Sequence, residues 1–319
     1  MGKWKISKLS NKQWDEGLDE NSSSYLHDSE WSKHMENLGW EKVRFIHSNE
    51  KAYLQGFKKS FLSRFNILWF PDWIAGDYEL TKDFIDFIDF EYKFKFVFLK
   101  IRSHHFFSFN ENNLLLNSLI YSSRQIDSAQ TMLLDLSLDK NLLEKNLSKN
   151  WKRNLKRSMR LDCKTVKVND PEIIVDLYSQ LQNFKQLDSL FTPNEIYSLF
   201  NTYRGNIEII GAMTPDGNIH AIRGAIIRKD KAIDIFAATD LYARKHYLSY
   251  KLAWELVNIC KKRNCQFFDF NGIEPEINPG VYNFKKGTGA KELKTLGEYE
   301  YSNSLLFRYA ISFFLKWFK

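Results

Sequence analysis

The 319-residue chain is 44% hydrophobic and 27% charged, which excludes a largely disordered polymer and leaves room for two medium domains with ample cores. Forty-six basic against 39 acidic residues give +7, a balance that favours phosphate-bearing partners or an anionic membrane surface. Cys163, Cys260 and Cys265 are odd in number and form no Cys-x-x-Cys, which suits a reducing compartment better than a disulfide scaffold.

No stretch reaches the roughly 18 uninterrupted apolar residues of a spanning helix, and the first residues hold no apolar run of signal-peptide length; the expected location is cytoplasmic. In chain order, Asp28 or Ser29 caps a short helix that Gly39 stops. Strand patterns follow at Lys42 to Ile46, Ala52 to Phe57 and Phe65 to Phe70, then a helix from Thr81 through about Tyr92. Further strands are predicted at Phe94 to Ile101 and Thr131 to Leu136.

One long helix is predicted from Leu138 to Arg160, with Leu143, Leu147, Trp151, Leu155 and Met159 as its inward stripe. Its other side carries Lys145, Lys149, Lys152, Arg153, Lys156, Arg157 and Arg160 with no acid from Lys145 on. Like charges at this spacing repel by a few tenths of a kcal/mol per pair. The face is either a solvated connector or a contact for RNA or nucleotide phosphate through Lys149, Lys152, Arg153, Lys156 and Arg157.

Beyond it, Asp170-Pro171 and the capping box Thr192-Pro193-Asn194-Glu195 start helices. Strands are predicted at Ile207 to Met213, His220 to Ile227, Ala232 to Ala238 and Phe267 to Phe270, with a helix from about Ser249 to Arg263 before the last. A strand from Leu293 to Tyr301 is expected to complete this second sheet. The order is that of an acetyltransferase-like α/β fold, in which a ligand sits where neighbouring strands part.

The segment from Phe268 to Glu298 carries the chemistry. Asp269 lies inside an apolar strand, where an acid persists only if paired or hydrogen-bonded, so it is either a structural partner or a proton carrier. Asn271-Gly272 shapes the strand exit, a loop follows, and Lys285 stands beside Phe284 near Gly287 and Gly289, a cation placed to meet an anion. Glu298, after Gly297, poses the same alternative as Asp269. Arg244 precedes a helix start suited to phosphate, and Arg223 faces Asp234 across a hairpin as an ion pair. The histidines show no metal-ligand spacing, and no metal is expected.

Several of these runs resemble, in order, the FemABX aminoacyltransferases that build peptidoglycan cross-bridges: LLDLS at 133–137, the basic WKRNLKRSMR, His220-Ala221, the stretch from Ala237 to Arg244, then FDFNGI, FKKGTG and LGE. The resemblance implies two tandem GNAT-like lobes, each a mixed sheet flanked by helices. The expected boundaries are 1–137 for the first lobe, 138–161 for the basic connecting helix, 162–302 for the second lobe and 303–319 for an aromatic tail. It implies that Lys285 takes part in catalysis or carboxylate binding; Asp269 and Glu298, read from the residues themselves, are the further catalytic candidates. Candidate substrate contacts are Phe284, Arg244 and Tyr242 from the resemblance, and Asn271, Gly272 and Arg223 from the residues themselves.

The implied activity is transfer of an aminoacyl group, with aminoacyl-tRNA as co-substrate and no resident cofactor, to an amine of a nucleotide- or lipid-linked peptidoglycan precursor or related cell-surface glycan intermediate. The alternative is an acyl-CoA-dependent GNAT-type enzyme acting on a nucleotide-linked amino sugar. Asp240 to Tyr250 contains no glycine, whereas acyl-CoA transferases of this fold cradle pyrophosphate on a Gly-rich loop there. A catalytically silent RNA- or membrane-binding protein is the remaining class. The expected state is a monomer. The tail NSLLFRYAISFFLKWFK either docks on the body or lies peripherally on the inner membrane face.

Overall fold

The computed structural model describes residues 4–21, 24–48, 52–185 and 191–314. In chain order the first elements are β1 (Trp4–Ile6), α1 (Asn11–Asn21), α2 (Ser29–Asn37), β2 (Glu41–His47), β3 (Ala52–Phe61), β4 (Phe65–Phe70), β5 (Ala75–Gly76), α3 (Thr81–Glu91), β6 (Phe96–Phe106), α4 (Phe109–Leu116) and β7 (Ile120–Tyr121). Then come β8 (Gln130–Asp135), α5 (Lys140–Asn146), α6 (Lys149–Ser158), β9 (Lys164–Lys167), α7 (Pro171–Lys185), α8 (Pro193–Thr202), β10 (Ile207–Met213), β11 (Ile219–Arg228) and β12 (Lys231–Thr239). The last are α9 (Leu241–Lys245), α10 (Leu248–Lys262), β13 (Phe267–Gly272), α11 (Pro279–Lys286), β14 (Lys291–Ser302) and α12 (Leu305–Phe314).

The chain divides into two units, Met1–Ala129 with Lys294–Lys319, and Gln130–Leu293. In the first, β1, β2, β3, β4, β6 and β14 pair in that order, all antiparallel except β4 with β6. Its core is strongly aromatic: Trp4, Phe45, Phe70 and Trp73 all lie against Phe84, with ring centroids 5.0 to 5.8 Å apart. Aromatic pairs contribute about 0.5–1.5 kcal/mol each beyond the area they bury.

In the second unit the order is β8, β13, β12, β11, β10, β9, with β12 and β13 parallel and every other pair antiparallel. Its core gathers Leu134, Trp151, Ile210, Leu252, Trp254, Phe268 and Phe270 between sheet and helices. Both units are mixed α/β structures of the expected kind.

Three expectations change. The strand predicted to complete the second sheet pairs with β6 of the first, through Tyr299 opposite Ile101 and Tyr301 opposite Leu99. The place beside β13 is taken by β8, with Phe268 opposite Leu134. Each unit thus borrows the strand expected in the other, and the unit limits fall at 130 and 294 rather than 137 and 302. Finally, the single helix over 138–160 is two. Leu147 leaves helical geometry at ψ 136°, and Ser148 caps α6 by accepting from the Trp151 amide at 3.3 Å. The break turns Met159 out of the inward stripe, leaving it 43% exposed.

Candidate functional site

β12 and β13 pair only from Lys231 opposite Phe267 to Ile233 opposite Asp269. Beyond that point β12 continues against β11 as far as Thr239, while β13 bends toward β8 and rejoins it at Gly272 opposite Thr131. The two strands part. At the parting Asn271 adopts φ +63°, a left-handed conformation that asparagine tolerates better than most residues. Its Nδ2 donates to the Asp234 carbonyl at 3.4 Å, spanning the gap from β13 to β12.

Lys285 closes this exit. Its Nζ donates to the carbonyls of Gly272 at 2.7 Å and Asn271 at 3.2 Å, and the residue is only 9% exposed. Ammonium has three donors, so one N–H remains beyond these two contacts. Burial pushes the Lys285 amine down to about 8, against the pull of Asp234 and Asp269 and with the push of Arg223. At pH 7 it is therefore a mostly protonated group that yields its proton far more readily than a surface lysine.

Lys285 stands on α11, a helix the sequence reading treated as loop. Asn278 caps it by accepting from the Val281 amide at 3.3 Å, and Pro279 occupies its first turn. Asn-Pro is a helix-start signal, and this one was legible. The C-terminal carbonyls of α11 are satisfied by α6: Trp151 Nε1 donates to Phe284 O at 3.1 Å and Ser148 N to Gly287 O at 2.9 Å. A Cβ on Gly287 would meet Trp151 Cδ1 at 2.8 Å, so glycine is required there by close approach. The basic helix is thus a clamp on the helix that carries the lysine.

Around Lys285, Arg223 makes a two-pronged ion pair with Asp234, Nη2 to Oδ2 at 2.5 Å and Nε to Oδ1 at 3.2 Å. Its guanidinium lies over the rings of Phe270 and Phe284, 5.5 and 5.2 Å from their centroids. Burial pushes the Asp234 carboxyl up in spite of Arg223 and Lys285. Sequence reading found this pair but not its place beside the lysine.

Asp269 is occupied. It pairs with Lys231 at 3.0 Å and accepts from the Thr131 hydroxyl and, at 2.9 Å, from the Asn271 amide. Burial works to raise its pKa, but these partners outweigh it and hold the carboxyl below its ordinary range. Lys231, which the sequence reading missed, makes Asp269 a fixed anion that sets the bend at Asn271.

Glu298 lies on β14 in the first unit. It binds Lys100 at 2.9 Å and accepts from the amides of Ile126 and Asp127, both at 3.0 Å. Those contacts fasten a loop to the strand.

Arg244 and Tyr242 mark the far end of β12. Arg244 donates to Thr239 through Nε at 3.3 Å and Nη2 at 3.1 Å, and packs over Phe184 at 3.8 Å. Its Nη1 is buried and has no hydrogen-bond partner among the described residues. Tyr242 is stacked between His220 and His246, centroids 4.4 and 4.2 Å away, and His220 Nδ1 meets Asp240 at 2.6 Å. Lys149, Lys152, Arg153, Lys156 and Arg157 are all exposed on α6, and among the described residues none forms an ion pair. Among the described residues no His, Cys, Asp and Glu cluster suited to a metal occurs, and no helix is long and apolar enough to cross a membrane.

Residues 200–316 match the FemAB family. No curated protein sequence matches the chain. Among solved structures, FemX superposes with a TM-score of 0.82 at 11% identity, covering 97% of this chain and all of that one. A tandem GNAT protein from the clavulanic acid biosynthesis pathway gives 0.57 at 9% identity, over 95% and 99% of the two chains. L-PGS from Bacillus licheniformis gives 0.55 at 14%, over 95% of each. The parted strands, Lys285 and its Arg223–Asp234 neighbours all lie within the matched segment. That segment is similar to the FemAB family, and the two units have the fold seen in FemX and in the tandem GNAT protein.

Proposed function

We propose that this chain is an aminoacyltransferase that moves an aminoacyl group from aminoacyl-tRNA to an amine of a peptidoglycan precursor or related cell-surface glycan intermediate. The observation that carries this reading is the buried Lys285 ammonium at the parting of β12 and β13, with one N–H to spare. The FemAB match over the same residues agrees with it.

In the reaction the acceptor nitrogen attacks the ester carbonyl, a C–N bond forms, and the C–O bond to the tRNA ribose breaks. The nitrogen loses a proton and the departing ribose oxygen gains one. Lys285 serves as the donor to the developing oxyanion or to that oxygen; such a donor is worth about 10²- to 10³-fold in rate. Asp234 and Arg223 hold the ammonium's surroundings, and Asp269 fixes the bend that presents it. The exposed cations of α6, which meet no acidic partner among the described residues, suit a tRNA backbone.

Acyl-CoA is the competing donor, favoured by the likeness to a tandem GNAT protein. Against it, the turn into α10 contains no glycine and instead puts Tyr247 at φ +59°. Supplying radiolabelled aminoacyl-tRNA and radiolabelled acetyl-CoA separately to the chain with an amine-bearing muramyl-peptide precursor separates the two. Label is expected on the precursor from the tRNA alone, and transfer from acetyl-CoA alone would overturn the proposal.

A further inference from the structure

The first unit contains an open cleft of about 840 Å³, a size within the range of small-molecule sites. It lies between α12 and the β7 to β8 connection. Its walls include Ile120, Ile126, Tyr309 and Phe313, which are 49, 52, 63 and 58% exposed. Large apolar side chains concentrated at such exposure along one cleft call for an apolar occupant.

The charges of the cleft lean positive. Arg124 and Arg308 line the cleft, both half-buried, and among the described residues neither has an acidic partner. The acid of the lining, Glu300, is already held by Lys100 at 3.2 Å and by the Ser122 hydroxyl at 2.5 Å. Glu298 shares Lys100 with Glu300 and Asp127 is paired with Arg102, so the two arginines stand against one unbalanced carboxylate charge.

The helix over the cleft is anchored at one end. Phe307 packs on Phe65 and Phe96, 5.3 and 6.0 Å between centroids, and Asn303 accepts from Val97 N at 3.0 Å and donates to Lys95 O at 2.9 Å. Those contacts hold the start of α12 and leave Tyr309 and Phe313 to face the cleft. On the outer side Leu305 and Leu306 are 66 and 84% exposed.

We infer that this cleft binds one anionic phospholipid, its chains against Ile120, Ile126, Tyr309 and Phe313 and its phosphate on Arg124 and Arg308. An apolar wall with two arginines that meet no carboxylate among the described residues is complementary to that chemistry. The inference concerns the first unit alone and stands apart from the acyl-transfer proposal.

The test is calorimetric titration of the full chain with water-soluble dihexanoyl phosphatidylglycerol, with glycerol phosphate, and with dihexanoyl phosphatidylcholine. The glycerol lipid is expected to bind, the other two to bind at least tenfold more weakly. Arg124→Ala with Arg308→Ala is expected to lose roughly thirtyfold in affinity, each arginine near an anionic headgroup contributing about a factor of five. Ile126→Asp, at an exposed side chain, is expected to lose binding while the melting curve stays unchanged, which keeps the test valid if the double variant folds poorly. Equal binding of glycerol phosphate would show a phosphate site without a lipid and overturn the inference. Undiminished binding by folded variants, or no binding of the anionic lipid, would do the same.

Discussion

Replacing Lys285 with Met keeps the length and most of the volume of the side chain and removes the charge. A lysine held at about 8 rather than its ordinary 10.5 gives up about 3 kcal/mol of folding stability at neutral pH, at 1.36 kcal/mol for each unit of pKa. The sign is opposite to that of a lysine gaining a salt bridge. Between pH 8 and 10.5 the unfolded chain binds more protons than the folded one, so stability rises with pH; the penalty is complete below 8 and absent above 10.5. Against this, the variant leaves the Asn271 and Gly272 carbonyls without Nζ, a loss of about 1–3 kcal/mol. The two nearly cancel at pH 7, so Lys285→Met is expected to melt within a few degrees of the wild type. Urea titrations at pH 7 and pH 9.5 supply the check. Because only the wild type recovers stability as pH rises, the difference between the proteins should shift by about 2 kcal/mol in its favour. A difference that does not move with pH would refute the claim that a buried, charged ammonium sits there.

Asp234→Asn leaves the Arg223 guanidinium buried beside Lys285 without its carboxylate, and a loss of about 3–5 kcal/mol is expected in denaturant titrations at pH 7. Reversing Lys152, Lys156 and Arg157 to Glu on the exposed face of α6 should leave the melting temperature within a few degrees while weakening tRNA binding, the slope of log affinity against log salt falling by about 2 to 3 in filter binding. Gly297→Ala forces a Cβ onto φ +82° and within 3.0 Å of Gln125 Oε1, so about 1–3 kcal/mol of stability should be lost in the same titrations.

Local signals were read where the chain states them locally. β4 and β10 keep the bounds drawn from their apolar runs, and the Thr192 to Glu195 capping box opens α8 as expected, both of its reciprocal hydrogen bonds being present. What failed depends on partners far away in sequence. Nothing within LLDLS says that its strand belongs beside Phe268 rather than in the preceding sheet, because strand pairing is decided by the assembled core. Ser148 reads as a mid-helix serine as long as Leu147 and Trp151 continue the stripe; its role as cap emerges once its amide meets Gly287 O. Of the site, Lys285 was visible from its neighbours Phe284 and Gly287. Lys231, the partner that occupies Asp269, was hidden because it lies one strand away. Lys316 and Lys319, part of the basic aromatic tail, lie outside the described residues.

The most direct measurement is the single-turnover rate of aminoacyl transfer by wild type and by Lys285→Met, at saturating acceptor and charged tRNA. A fall of about 10²- to 10³-fold is expected in the variant, with little change in the acceptor concentration needed for half-saturation. A folded variant transferring within threefold of the wild-type rate would contradict it.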